Sequence, residues 1–391
     1  MWEEKRYCLT DLGTVKRGRS RHRPRDDKSL YGGEYPFVQT GDVKSANFYL
    51  TKYSQTYNEK GLQQSKLWSK GTLCITIAAN IAETAILGLE ACFPDSIVGF
   101  TPYKNMADVR YIKYYFDIFK KQMQVISLGA TQDNFSVEKM LKFKFIVPPL
   151  PTQQKITGIL SAYDELIENN NCRIEMLEQT AQQIYKEWFV RFRFPGYETA
   201  HFTKGIPDGW EVKRLSEIAY VQMGQSPKSE FYNENEEGLP FHQGVSDFNN
   251  RYPTHNTYCT EMKRVANNGD ILLSVRAPVG RINTANRKLV IGRGLCSISS
   301  KGKNQSFLFY LLTNYFHKED IIGNGAIFSS VGKGELFGIK LLLPQKDLIN
   351  RFETVSINID SQILKLTTKN QNLIKQRDLL LPRLMSGKIE V

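Results

Sequence analysis

The chain has 391 residues, 41% hydrophobic and 24% charged, a globular balance that excludes disorder, collagen-like repeats and a membrane-spanning protein. At roughly 100–200 residues per domain it is sized for two. Its 52 Lys and Arg against 40 Asp and Glu leave a net charge of +12, which points to a polyanionic partner, nucleic acid above all, without naming it.

The opening residues Met1-Trp2-Glu3-Glu4-Lys5-Arg6 lack the apolar core of a signal peptide. Cys8, Cys74, Cys92, Cys172, Cys259 and Cys296 form no C-x-x-C pair and have no histidine close enough to complete a zinc site, so they read as reduced thiols of a cytoplasmic protein. The most apolar stretch, Cys74 to Phe93, carries Asn80, Glu83 and Glu90, too costly for a lipid-facing helix. No membrane is expected as a partner.

Along the chain, four landmarks occur twice in the same order. Leu9-Thr10-Asp11-Leu12-Gly13 recurs in type as Leu215-Ser216-Glu217-Ile218-Ala219, with Gly18 and Gly224 at the same offset. Tyr35-Pro36-Phe37-Val38-Gln39 matches Leu239-Pro240-Phe241-His242-Gln243, and Lys70-Gly71-Thr72-Leu73 matches Asn268-Gly269-Asp270-Ile271. Gly129-Ala130 with Phe135-Ser136 matches Gly325-Ala326 with Phe328-Ser329. Such order fixes a duplicated architecture. Short apolar runs predict strands at Gly71 to Ile77, Ala85 to Leu89, Phe143 to Val147, Asp270 to Val275 and Ile339 to Leu343. Helices are expected at Ala107 to Gln124 and Asn304 to Phe316, and prolines at 148, 149, 151 and 344 stop the globular regions.

Each half then ends in a long polar helix. The first carries apolar positions at alternating steps of four and three: Ile156, Leu160, Tyr163, Ile167, Asn170, Ile174, Leu177, Ala181, Ile184 and Trp188. That spacing is a coiled-coil seam with one polar member. The second seam is poorer: Phe352, Ser356, Ile359, Ile363, Leu366, Asn370, Leu373, Arg377, Leu380 and Leu384. Each helix packing only on its own globular domain is the alternative. The expected fold is α+β: two similar α/β domains over 1–150 and 205–344, with a first long spacer helix over 151–194 and a second long spacer helix and C-terminal tail over 345–391. The helices would pair antiparallel as a coiled coil, giving pseudo-two-fold symmetry. At about 1.5 Å per residue the first helix would carry the chain about 65 Å. Antiparallel pairing centred near residue 172 would set Asn170 opposite Asn370, a buried amide pair that fixes register.

These features resemble the specificity subunits of type I restriction-modification systems. The resemblance covers nearly the whole chain and rests on Leu9 to Gly13, on Pro149-Leu150-Pro151-Thr152-Gln153-Gln154-Lys155-Ile156, and on Leu381-Pro382-Arg383-Leu384-Met385-Ser386-Gly387-Lys388-Ile389. Pro344-Gln345-Lys346-Asp347 departs from the fuller proline and glutamine run. The resemblance implies two target-recognition domains, each reading one half of a bipartite double-stranded DNA site. It also implies helices that space the halves and dock two methyltransferase subunits, with motor-nuclease subunits joining for restriction. S-adenosylmethionine, ATP and Mg²⁺ would then sit on those partners and none on this chain.

Candidate DNA contacts follow from side-chain chemistry. The densest basic run, Lys16 to Arg25, contains Arg17, Arg19, Arg21 and Arg23; it reads as a phosphate- or groove-contacting loop, or as a solvated one. Its counterpart from Gln222 to Glu237 is acidic, so the two domains should contribute unequally. Gln39, Thr40 and Gln243 can pair with base edges or close loops, as can Thr131 and Gln132. Ser274 and Arg276 end a predicted strand, with Arg281 following; Arg276 is the best candidate for a bidentate guanine contact and Arg281 for phosphate. Arg293 lies between two glycines, and Asn80 occupies the first-half turn that matches Arg276. No P-loop, no aromatic-ended Asn/Asp-Pro-Pro methyltransferase motif and no histidine metal spacing occurs. The chain therefore reads as a non-catalytic DNA reader. A stand-alone nucleic-acid-binding scaffold, or a fragment of a single-chain restriction-modification enzyme, stands as the alternative.

Overall fold

Apolar runs of four residues bounded by glycine turns become strands buried on both faces: Leu73–Thr76, Thr84–Leu87 and Ile271–Ser274 have no exposed member. They belong to a computed structural model that describes residues 5–78, 82–128, 137–321 and 330–391. The chain divides into two compact units, one of Met1–Cys172 with Thr368–Val391 and one of Arg173–Thr367. These limits differ from boundaries at 150 and 344, because each unit takes part of both long helices into its own core.

The units repeat one plan. In the first, a sheet runs in the order Gly13–Arg17, Ile97–Pro102, Leu73–Thr76, Thr84–Leu87, Tyr49–Leu50. A second sheet runs Gln55–Tyr57, Tyr31–Phe37, Ala91–Cys92, Leu67–Trp68, with Phe37 and Cys92 paired parallel. The second unit repeats the first sheet as Ala219–Met223, Leu295–Ser300, Ile271–Ser274, Ile282–Thr284. Its other sheet again has one parallel pairing, Phe241 with Val290 and His242 with Ile291. Gly71 and Gly269 show why the landmarks recur. Each turns into its strand at a positive φ, +87° and +88°, that only glycine adopts cheaply. Each also donates its N–H over 2.8 Å to the neighbouring hairpin, to Leu87 O and Ala285 O.

The predicted helices span Val109–Leu128 and Gln305–Ile321. All five predicted strands are shorter than expected; among them Phe145–Ile146 pairs with Arg6–Tyr7 and Lys340–Leu343 with Glu211–Arg214. The long helices, Leu150–Phe189 and Lys346–Met385, have 40 residues each. The first stops before the expected residue 194. Phe192 turns left-handed at φ +59°, and Arg193 N donates back to Glu187 O at 2.7 Å, two residues ahead of Pro195.

No residue of either seam is exposed. Within the first unit, Ile156, Leu160 and Leu384 pack with Tyr111, Phe116 and Phe145 of the globular domain, so the seam serves both the partner helix and the domain. Further along, Asn170 Nδ2 donates to Asn370 Oδ1 at 2.8 Å, and Asn370 Nδ2 donates to Asn171 Oδ1 at 2.8 Å. Asp164 meets Arg377 in the same antiparallel sense. In the second unit Ile174, Ile363 and Leu366 enclose Tyr252, while Tyr185 packs on Phe352.

One carboxylate in each long helix, at the same depth from its start, ties down the domain helix. Asp164 accepts from Tyr114 Oη and pairs with Arg377. Asp360 accepts from Tyr310 Oη at 3.0 Å and from Ser306 Oγ at 2.5 Å, and pairs with Arg251 Nη2 at 2.7 Å. Burial, reinforced by the neighbouring carboxylate, raises Tyr114, which keeps its phenol a donor. Arg251 is 4% exposed, stacks 3.4 Å from the Phe309 ring centroid, and lies 3.7 Å from Glu178, whose carboxyl burial pushes up. Truncating Arg251 would leave two half-buried carboxylates without a cation. Arg251→Met is expected to destabilise the second unit by about 3–5 kcal/mol, measured by urea unfolding, and adding Glu178→Gln with Asp360→Asn should recover most of that loss.

Candidate nucleic-acid interface

In the second domain three backbone hydrogen bonds gather residues from four segments at one end of the sheet. Ser274 N donates to Arg281 O at 2.9 Å, Val275 N to Gly294 O at 2.9 Å, and Gly294 N to Gln243 O at 3.1 Å. Arg276, Arg281, Arg293 and Gln243 thereby become neighbours along the backbone, and all four are exposed. Among the described residues the three guanidinium groups have no hydrogen-bond or ion-pair partner, which leaves them available to an external anion. Ser274 is different. It is buried, its Oγ donates to Pro278 O at 2.6 Å and accepts from Arg281 N at 2.8 Å, so the hydroxyl holds the turn.

Gln243 is oriented by a short relay. Arg293 N donates to Ser226 Oγ at 3.2 Å, and Ser226 Oγ donates to Gln243 Oε1 at 2.7 Å. Gly292 is needed here, since a Cβ would fall 2.5 Å from Gln243 Oε1. Behind it His242 is fully buried, its Nε2 hydrogen-bonded to His255 Nδ1 at 3.0 Å, with Asp247 at 3.3 Å. Burial, together with the neighbouring His255, holds His242 down at about 4 despite Asp247.

The first domain uses the same backbone frame with different side chains. Ile77 N donates to Ser96 O at 3.0 Å, the counterpart of Val275 with Gly294. Asp95 consequently stands where the second domain has Arg293. Arg25 Nη2 contacts both Asp95 oxygens, at 2.8 and 3.0 Å, and Arg17 Nε donates to Asp95 O at 3.2 Å. The basic run is tied down rather than loose. Lys16 and Arg17 finish a strand, Arg19 donates to the carbonyls of Gln63 and Gln64, and Arg23 donates to those of Ser20 and His22. Arg21 is exposed, and only its backbone N–H is engaged among the described residues, by Gln64 Oε1 at 2.6 Å. Gln39 caps the helix Thr40–Ser45, and its Nε2 donates to Gln55 Oε1 at 2.7 Å; Thr40 is half-buried. Gln39, Gln55, Arg25, Lys28 and Tyr31 line one groove. Asn80, Thr131 and Gln132 lie outside the described residues.

The acidic counterpart loop keeps Glu230, Glu234, Glu236 and Glu237 exposed. No group of three or more His, Cys, Asp or Glu suited to a metal occurs among the described residues. No helix among them is long and apolar enough to cross a membrane.

A family model described as the type I restriction modification DNA specificity domain matches residues 2–179 and again residues 207–377. This chain belongs to that family. It is a type I specificity subunit with two target-recognition domains, and it binds DNA. Among its relatives, the MjaX specificity subunit of Methanocaldococcus jannaschii is 34% identical over 74% of this chain and 70% of its own. The MjaIX specificity subunit of the same organism is 26% identical over 100% of this chain and 94% of its own. A type I restriction-modification S subunit from M. genitalium shares the fold at a TM-score of 0.60 and 16% identity, over 98% of this chain and 96% of that one.

Within the specificity subunit's two faces, sequence reading passed over Gln55, Ser226, Asp95 and the pairing role of Arg25. Each is defined by a contact with a residue far away in the chain, and no spacing announces it. The histidine pair gives a pH signature for the second domain. Its folded state holds His242 neutral down to about 4, whereas the unfolded chain takes up that proton near 6.5. The unfolded state therefore binds more protons in this window. Stability should be flat above pH 6.5 and fall by on the order of 2–3 kcal/mol as the pH drops from 6.5 to 4. Unfolding midpoints across that range should lose this slope in His242→Gln.

Proposed function

We propose that this specificity subunit reads a bipartite double-stranded DNA target, one half-site per recognition domain, and holds two methyltransferase subunits through its long helices. Motor-nuclease subunits join through those methyltransferases. The chain itself acts without catalysis, in the cytoplasm, and S-adenosylmethionine, ATP and Mg²⁺ belong to the partner subunits. The observation that carries this reading is the duplicated frame. The matching strand ends carry an exposed glutamine in each domain, Gln39 and Gln243, but different residues beside it, Asp95 with Arg25 in one and Arg293 in the other, as two unlike half-sites require.

Deleting the gene should erase adenine methylation at one interrupted motif across the host genome and leave other methylation intact. Loss at an uninterrupted motif, or no loss, would count against the reading. Arg276→Ala should weaken binding by about 1–3 kcal/mol and relax preference at one base pair of one half-site. A uniform loss on every sequence, seen by competition titration, would make it a phosphate contact instead.

A further inference from the structure

The two domains leave different hydrogen-bonding atoms free at the same place in their common frame. In the first domain Gln39 and Gln55 bind one another. Each amide carries one acceptor and one amino group. A single bond between them leaves both an acceptor and donors at the exposed edge, whichever way the two amides are turned. In the second domain Gln243 Oε1 already accepts from a neighbouring side chain. Ser226 Oγ accepts from the Arg293 backbone and so directs its own proton onto Gln243 Oε1. Among the described residues, the groups left without any partner at the exposed edge are then donors, Gln243 Nε2 and the Arg293 guanidinium. The charge at this place differs too, since the first domain has Asp95 there, neutralised by Arg25.

Base edges in the major groove sort along the same line. Adenine shows an acceptor, N7, beside a donor, N6, and is met by an acceptor–donor pair; guanine shows two acceptors, N7 and O6, and is met by donors alone. We infer that the Gln39–Gln55 pair of the first domain selects an adenine in its half-site, while Gln243 with Arg293 in the second domain selects a guanine in the other. The inference rests on the DNA-reading function above and assigns base identity to each face. Ser226 is a positioning residue, acting only through Gln243.

The test is selection of a randomised duplex library by the full-length chain, followed by competition with duplexes carrying 7-deazaadenine or 7-deazaguanine at the selected positions. The wild type should enrich two half-sites. Gln55→Leu should lose about 5- to 150-fold of discrimination at one adenine in one half-site, leave the salt dependence unchanged, and become insensitive to 7-deazaadenine there. Arg293→Ala should lose a similar discrimination at one guanine of the other half-site and become insensitive to 7-deazaguanine there. Gln55→Glu, which replaces the mixed edge by acceptors, should move preference at the adenine position toward cytosine. Enrichment of two half-sites whose base preferences survive all three substitutions would overturn the assignment and leave the DNA-reading function standing. Absence of any enriched sequence with the wild type would overturn both.

Discussion

An aspartate at the same depth in each long helix, buried in the first and half-buried in the second, is the constraint on which both units rest. Asp164 and Asp360 each take a tyrosine hydroxyl from the preceding domain helix and a guanidinium from elsewhere. Such a group tolerates only one arrangement, because a carboxylate taken out of water must find its cation and its donors together or destabilise the fold. Apolar packing alone would hold the domain helix against the long helix in several rotations. The tyrosine–aspartate bond leaves one.

The cation comes from different places. In the first unit it is Arg377, a member of the opposite helix's seam; in the second it is Arg251, from a loop of the recognition domain itself. The first solution therefore ties helix to helix, and the second ties the recognition domain to both helices at once, since Arg251 also faces Glu178. Two copies of one fold have kept the anion and changed the route by which it is neutralised. The same pattern appears at the candidate nucleic-acid interface, where Asp95 with Arg25 in one copy stands in the frame position of Arg293 in the other.

Much of the architecture was legible because it is written in local periods. The seam follows from alternating steps of four and three, and the two asparagines within it meet because a register that buries one amide must supply it with another. The landmark glycines were legible for a similar reason, each meeting a local need for a positive φ or a close backbone approach. The sites were legible only as residue types. Arg276, Arg293 and Gln243 could be singled out one by one, but their convergence depends on strand pairing between segments some tens of residues apart. Arg251 left no trace in the sequence at all, and Arg377 stood only as a charged member of the poorer seam, with nothing to say which anion it meets. What the basic run's composition does not show is that its arginines spend part of their donors on carbonyls, of the run itself and of Gln63 and Gln64.

The first unit is discontinuous in the chain, made of Met1–Cys172 and Thr368–Val391, whereas the second is the single stretch Arg173–Thr367. Synthesis therefore runs against the usual order in which the domain encoded first is finished first. The second unit has all its residues once Thr367 has emerged. The first must wait, its core lacking Leu381, Leu384 and Met385, for roughly 10–40 s at about 5–20 residues per second. During that interval Ile156 and Leu160 lack these packing partners, so the growing chain carries an incomplete apolar stripe until Leu381, Leu384 and Met385 arrive.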